Sequence, residues 1–223
     1  VIMAGGEGKR LRPLTHNCPK PMLSIGGKPM LEIILKQCID AGFQTFFLSV
    51  NYLKGQIKEY FGDGSRWNVN IEYLEEVQPL GTAGALSLLQ TSSIESILVL
   101  NGDILTRVDY ARLLQFHTEA QQEVTVCVRE HEMQIPYGVV QLSESQVLSV
   151  EEKPILRHHV NAGIYLLNPV LLDLVPANLF FDMPQLLEKA LQNQFGVNAF
   201  PIHEQWLDVG HPETLKLAYG EWQ

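Results

Sequence analysis

Two hydrophobic periods alternate along the chain. Residues 45–50 form a β-branched and aromatic run and residues 97–100 an unbroken apolar one, the pattern of buried strands. Val1-Ile2-Met3 is a third such run, clipped to three residues. Residues 29–41 instead carry Met30, Ile33, Ile34, Cys38 and Ala41 at the spacing of one helical face, with Gly42 set to end the helix. Helices are likewise predicted over 53–61, stopped by Gly62-Asp63-Gly64, and over 82–89 and 110–120, with strands at 69–74 and 124–128. Strands that alternate with helices predict a largely parallel sheet covered on both faces. After Arg129 the pattern changes, and 137–142 and 146–151 read as paired strands joined by Ser143-Glu144-Ser145, an antiparallel excursion. A strand at 160–167, a helix at 185–192, a strand at 197–201 and a helix at 212–219 complete one α/β domain with a mixed half.

Composition narrows the class without naming it. The 223 residues suffice for one sizeable core, and 46% apolar with 18% charged residues is ordinary for a globular protein. No apolar run is long enough to cross a bilayer, and no signal peptide is visible, so no membrane partner is expected. The chain opens mid-strand without an initiator Met, so the expectation is a single domain over 1–223 excised from a longer chain. Cys18, Cys38 and Cys127 are scattered and form no Cys-x-x-Cys pair, which fits a reducing, cytoplasmic setting. The net charge of −9, from 25 acidic and 16 basic residues, argues against a nucleic-acid partner.

An acidic protein that handles phosphates must gather its cations locally, and one stretch does so. After the clipped first strand come Gly5, Gly6 and Gly8, where the backbone can turn sharply and bring N–H groups to a ligand. Lys9, Arg10, Arg12 and Lys20 follow, with Glu7 the acidic residue among them. A Walker loop is excluded because Gly8-Lys9 precedes Arg10 and Met3 stands where the first glycine belongs. A dinucleotide fingerprint is excluded because its third glycine would be Leu11, which also weakens an NAD-dependent oxidoreductase reading.

In open α/β sheets ligands bind beyond the carboxyl ends of the strands. By that rule the glycine loop, the stretch Gln78-Pro79-Leu80-Gly81-Thr82-Ala83-Gly84 and the turn Asn101-Gly102-Asp103 line one cleft. The small residues at 81–85 suit either a flat base lying on backbone or close helix–sheet packing. Asp103 suits either Mg²⁺, which takes one or two carboxylates plus substrate phosphates, or a turn. Glu152-Lys153-Pro154 closes the antiparallel excursion, where a solvated strand end is the commoner meaning. His158-His159 has no second pair at ligand spacing, and no Gly-x-Ser-x-Gly supports covalent catalysis.

Gly5-Gly6-x-Gly8-x-Arg10-Leu11-x-Pro13-Leu14-Thr15, followed by Pro19-Lys20-Pro21, resembles the signature of the sugar-1-phosphate nucleotidylyltransferases. The resemblance continues in order through Leu80-Gly81-Thr82-Ala83-Gly84, Asn101-Gly102-Asp103, Tyr137-Gly138, Glu152-Lys153-Pro154, Asn161-Ala162-Gly163-Ile164-Tyr165 and Trp206-Leu207-Asp208, nearly the whole chain. It implies a Rossmann-like three-layer sandwich with a mostly parallel mixed sheet. It also implies nucleotide contacts at Ala4, Gly5, Gly6, Gly8, Gln78, Gly81, Thr82, Asn101 and Gly102, and sugar contacts at Gly138, Glu152, Lys153 and Asn161. Mg²⁺ would sit on Asp103 and Asp208, with Arg10 on the departing pyrophosphate, Lys20 on the α-phosphate and Lys153 on the sugar phosphate.

Leu-Gly-Thr-Ala-Gly looks most like members that join GTP to mannose 1-phosphate or a related hexose phosphate, whereas Gln78-Pro79 resembles members using uridine or thymidine nucleotides. The expected partners are therefore an NTP and a sugar 1-phosphate, with a homo-oligomer and additional modules compatible with the family. The rival from another class is a non-catalytic domain of this kind that binds nucleotide and regulates a partner.

Overall fold

The computed structural model describes residues 1–90 and 94–222. In chain order the strands are β1 Ile2–Met3, β2 Ser24–Ile25, β3 Lys28–Pro29, β4 Thr45–Val50, β5 Asn70–Glu75, β6 Ile97–Asn101 and β7 Ile104–Thr106. They continue with β8 Val124–Gln134, β9 Gly138–Ser143, β10 Gln146–Glu152, β11 Ile155–Leu167, β12 Val197–Pro201 and β13 Trp206–Asp208. The α-helices are α1 Met30–Asp40, α2 Lys54–Phe61, α3 Gly81–Gly84, α4 Tyr110–Ala120, α5 Met183–Gln192 and α6 Pro212–Glu221.

One seven-stranded sheet, in the order β12-β8-β11-β6-β1-β4-β5, forms the middle layer. β1 lies at its centre and pairs in parallel with β4 (Ile2 beside Leu48) and β6 (Ile2 beside Leu100), while β11 runs antiparallel to β6 and β8. The run at 97–100 is continuous because both faces are covered. Leu98 and Leu100 pack with α1, α4 and α6 on one side, and Ile97 and Val99 pack with α3 and α5 on the other. α1 ends as its glycine predicts, since Gly42 at φ +95° donates to Ile39 O (2.9 Å) and Phe43 N–H to Cys38 O (3.1 Å), the paired bonds of a Schellman cap.

Three expectations change. The strand expected at 124–128 runs to Gln134, and the strand expected at 160–167 begins at Ile155. The two pair antiparallel from one end to the other apart from a break in register between Asn161 and Tyr165, so the excursion is a long ribbon that continues through β9 and β10. Its outer half, Arg-Glu-His-Glu-Met-Gln at 129–134, is mostly exposed and has no apolar alternation to betray it. The helix expected at 82–89 is one α-turn, α3, followed by a 3₁₀ turn at Ala85–Leu88. The short strands β7 and β13 were not expected, because three residues carry no measurable period. No helix is long and apolar enough to cross a membrane among the described residues.

Candidate active site

The carboxyl ends of β1, β4, β5 and β6 lie side by side, and main-chain bonds stitch the loops that leave them. Ala4 N–H donates to Ser49 O (2.9 Å), Gly102 N–H to Met3 O (2.9 Å) and Glu76 N–H to Val50 O (3.0 Å). The glycine loop turns at Gly8, in the left-handed region at φ +61°, where a Cβ would come within 2.9 Å of Lys20 Cβ. Thr15, fully buried, donates its hydroxyl to Gly8 O at 2.8 Å and fixes the turn from behind. Beside these loops lies a cavity of about 260 Å³, walled by Gly5, Gly6, Lys20, Glu76, Gly81 and Asp103 among others. A second, more open cavity of about 320 Å³ shares Thr82 and Asn101 with it and adds Asn161 and Tyr165. The cleft expected from the three loops is therefore present.

The charged residues meet at its edge. Lys20 is 8% exposed, and its ammonium bonds to Asp103 Oδ2. Asp208 arrives from the far end of the chain because β13 pairs antiparallel with β7, setting Asp208 opposite Ile104, and Val209 N–H donates to Asp103 O at 2.9 Å. Burial raises the Asp208 carboxyl above its usual range and the Asp103 charge raises it further, against the pull of Lys20, Arg10 and His211. Its Oδ1 is buried without a hydrogen-bond partner among the described residues. Arg10 joins the group through His211, its Nη1 lying 2.9 Å from the imidazole Nε2. Lys20, Asp103 and Asp208 thus lie together, and Arg10 and His211 stand near enough for their charges to act on Asp208.

Other expected site residues fall differently. Gly138, Glu152 and Lys153 lie on the ribbon, with the Lys153 and Glu152 side chains 58% and 73% exposed and 4.0 Å apart. Among the described residues no hydrogen bond or ion pair ties Lys153 to the cluster of Arg10, Lys20 and the two aspartates. Gln78 is exposed, and its side-chain amide donates to Asn178 O at 3.0 Å rather than lining the cavity. Ala4 is core, 1% exposed, with its N–H spent on Ser49. Gly81 and Gly84 are required by packing: a Cβ there would come within 2.7 Å of Phe181 O and 2.6 Å of Leu179 O. The two glycines thus pack against the 179–182 segment rather than against the sheet, and Gly81 and Thr82 also wall the cavity.

Sequence reasoning missed the residues that hold these loops. Asp182 accepts from Thr82 N–H (2.8 Å) and from the Thr82 hydroxyl (3.1 Å), capping α3 from across the chain. Glu76 accepts from Leu80 N–H (2.7 Å) and from the Ser49 hydroxyl, and His211 bears on Arg10. Asp182 and Glu76 belong to no spacing motif, and His211, three residues after Asp208, carries no role until the fold sets it against Arg10. Burial pushes the Cys38 and Cys127 thiols up to about 12, so neither is a nucleophile at neutral pH. No group of three or more His, Cys, Asp or Glu gathers at metal-binding distance among the described residues, leaving Asp103 and Asp208 as a carboxylate pair.

This geometry has known relatives. The family model described as "Nucleotidyl transferase" matches residues 1–219. The mannose-1-phosphate guanylyltransferase catalytic subunit beta of Drosophila melanogaster is 34% identical over 222 residues, covering 96% of this chain and 60% of that protein. A UTP–glucose-1-phosphate uridylyltransferase of Synechocystis is 30% identical over 230 residues, covering 94% of this chain and 59% of its own length. The chain thus spans about 60% of the length of such relatives. A crystal structure of HddC from Yersinia pseudotuberculosis complexed with GMP-PN superposes with a TM-score of 0.75 at 26% identity, covering 100% of this chain and 98% of that one. With a match over nearly all its length and relatives at this identity, the chain belongs to the nucleotidyl transferase family, that of the sugar-1-phosphate nucleotidylyltransferases.

Proposed function

We propose that the chain transfers a nucleotidyl group from an NTP to a hexose 1-phosphate and releases pyrophosphate, with GTP and mannose 1-phosphate or a related hexose phosphate as the favoured pair. One observation carries the reading. Arg10 and Lys20 from the start of the sequence, Asp103 from its middle and Asp208 from near its end come together beside a cavity walled by the glycine loop. The sugar phosphate is already a nucleophile, so no general base is needed. The barrier is repulsion between two phosphates, and positioned cations lower it.

In this reading Lys20 meets the charge that builds on the α-phosphate, and Arg10, steadied by His211, holds the leaving pyrophosphate. Gly5 and Gly6 bring main chain to the phosphates, and Gly81 and Thr82 flank the base. Asn161, beside the second cavity, meets the sugar, with Glu152 and Lys153 approaching from the ribbon. Asp103 and Asp208 suit a small hard cation, since the buried Oδ1 of Asp208 lacks a partner among the described residues and the Asp103 charge raises the cost of ionising Asp208. Mg²⁺ bound there would neutralise phosphate charge during the transfer. The three free cysteines suit a reducing, cytoplasmic compartment.

Support for GTP comes from the guanylyltransferase relative and from HddC with GMP-PN, while the uridylyltransferase relative keeps UTP as the alternative within the class. Pyrophosphate release should be measured with GTP, UTP, dTTP and CTP against mannose 1-phosphate and glucose 1-phosphate. GTP with mannose 1-phosphate is expected to turn over fastest. Nucleotide binding without release from any pair would overturn the enzyme reading in favour of a regulatory domain.

A further inference from the structure

Phe180 is an aromatic residue that the core does not use. Its neighbour Phe181 is buried with Met183 and Leu186, whereas Phe180 is 60% exposed. A lone exposed apolar side chain is ordinary on a protein surface. Phe180 differs in where it stands and how firmly it is held. It lines the cavity of about 260 Å³ together with Pro79, Gly81, Gly5 and Gly6. The segment that carries it is bonded along the loop that opens α3. Phe181 N–H donates to Leu80 O at 2.9 Å, and the N–H groups of Ala83 and Gly84 donate to Phe181 O at 3.0 and 2.9 Å. On one side of Phe180 the Asp182 carboxylate accepts from Thr82 N–H, and on the other the Gln78 amide donates to Asn178 O. The ring is thus presented by main chain fixed before and after it, so little backbone freedom remains to be lost when a ligand meets it.

A phenyl ring offers no hydrogen bond, only a flat apolar face. Phosphates gain nothing from such a face, and a nucleobase does. The sugar is the other flat body in the reaction, but Asn161 borders the second cavity, whose wall does not include Phe180 among the described residues. We propose that Phe180 stacks on the base of the NTP and sets a preference for purines. The two fused rings of guanine cover more of the phenyl face than the single ring of uracil, so the same contact favours GTP over UTP. This role rests on the reading above that the NTP lies between these loops.

The test uses Phe180→Ala, Phe180→Leu and Phe180→Trp, with Leu179→Ala as the control. Leu179 is as exposed as Phe180 and sits on the same segment, but its side chain does not line the cavity. The readouts are equilibrium binding of GTP and of UTP, KM for GTP, KM for mannose 1-phosphate and melting temperature. Phe180→Ala should weaken GTP binding by about 5- to 100-fold, the range of a lost base–aromatic stack, and UTP binding by less. KM for mannose 1-phosphate should stay within about threefold. Phe180→Leu, apolar but without a flat face, should recover only part of the loss. Phe180→Trp should bind GTP at least as tightly as the native protein, and its added fluorescence should fall as the base stacks on it. Melting temperatures should stay within a few degrees of native, as for surface substitutions generally.

Native-like GTP binding by Phe180→Ala, an equal loss for GTP and UTP, a rise in KM confined to mannose 1-phosphate, or the same loss in Leu179→Ala would each overturn the stacking role. Binding is measured without turnover, which separates this role from the parent reading. If Phe180→Ala weakens GTP binding more than UTP binding while no pyrophosphate forms with any sugar phosphate, the transfer reading fails and the stacking role stands. If pyrophosphate forms and Phe180→Ala binds GTP as the native protein does, the stacking role alone fails.

Discussion

Replacing Lys20 with methionine tests the proposed catalysis most directly. The stem of Lys20 is enclosed, 8% exposed, and methionine fills nearly the same space without the charge. The loss therefore falls on electrostatics. The ammonium bonds to Asp103 Oδ2 and also lowers the cost of ionising Asp208. If it meets charge that develops on the α-phosphate, its removal should lower kcat/KM at least ~100-fold, the scale of losing one preorganised transition-state donor.

Stability should move less. Breaking a fully buried pair costs about 3–5 kcal/mol, but the Asp103 side chain is 29% exposed and water screens it, so ~1–2 kcal/mol is expected. The two aspartates, deprived of their lysine, should then gain more from Mg²⁺, raising the melting temperature of the variant more than that of the native protein. Steady-state pyrophosphate release and thermal melts with and without Mg²⁺ measure these outcomes. A Lys20→Met variant within about threefold of native kcat/KM would refute the role assigned to the lysine.

Three further outcomes follow from the same coordinates. Asp103→Asn should leave the melting temperature within a few degrees of native yet abolish the dependence of turnover on Mg²⁺, read as rate against metal concentration. Gly8→Ala should destabilise the fold by about 1 kcal/mol or more, because Gly8 sits at φ +61° and a Cβ would press on Lys20 and Thr15; Gly6→Ala, which meets open space, should leave stability unchanged and weaken NTP binding. His117 is buried against the Thr125 hydroxyl at 2.8 Å, and burial lowers its pKa below the ordinary 6.5. The unfolded chain therefore binds the proton first, so urea-unfolding free energy should fall as pH drops below about 6.5, and His117→Gln should flatten that fall.

The parts of the site legible in the sequence are the local ones. The three glycines, Arg10 and Lys20 lie within one short stretch, and their density in an acidic chain is itself a signal. Asp103 is legible as a strand-end turn, because β6 is apolar enough to be read as a strand and Asn101-Gly102 ends it. Asp208 is legible only through resemblance. It reaches Asp103 by way of two three-residue strands, whose pairing no periodicity can announce. The β9–β10 hairpin falls where its pattern puts it, but the stretches 129–134 and 155–159 that join it to the sheet do not, because they are exposed and are specified by main-chain pairing rather than by a buried face. Asp182 and Glu76 act on backbone N–H groups of other segments, contacts that leave no trace in residue spacing.

The glycines show why reading them from sequence as ligand contacts overreaches. A glycine is kept wherever a Cβ is intolerable, and the protein itself can be the reason. At Gly102 the obstruction is Met3 O at 2.6 Å, at Gly5 the Glu76 carboxylate, and at Gly81 the segment bearing Phe181 and Asp182. The backbone oxygens at Gly102 and Gly81 would demand glycine with no nucleotide present. Gly6 differs, since its φ is not in the left-handed region and a Cβ there would touch nothing within 4 Å. The folded chain makes no demand for glycine at that position, and Gly6 faces the same cavity as Lys20 and Asp103. Under the proposed transfer, close approach of phosphate oxygens to main-chain N–H groups is the interaction a side chain at Gly6 would obstruct. Gly6→Ala, set against Gly5→Ala and Gly102→Ala, therefore separates a loss of NTP binding from a loss of fold.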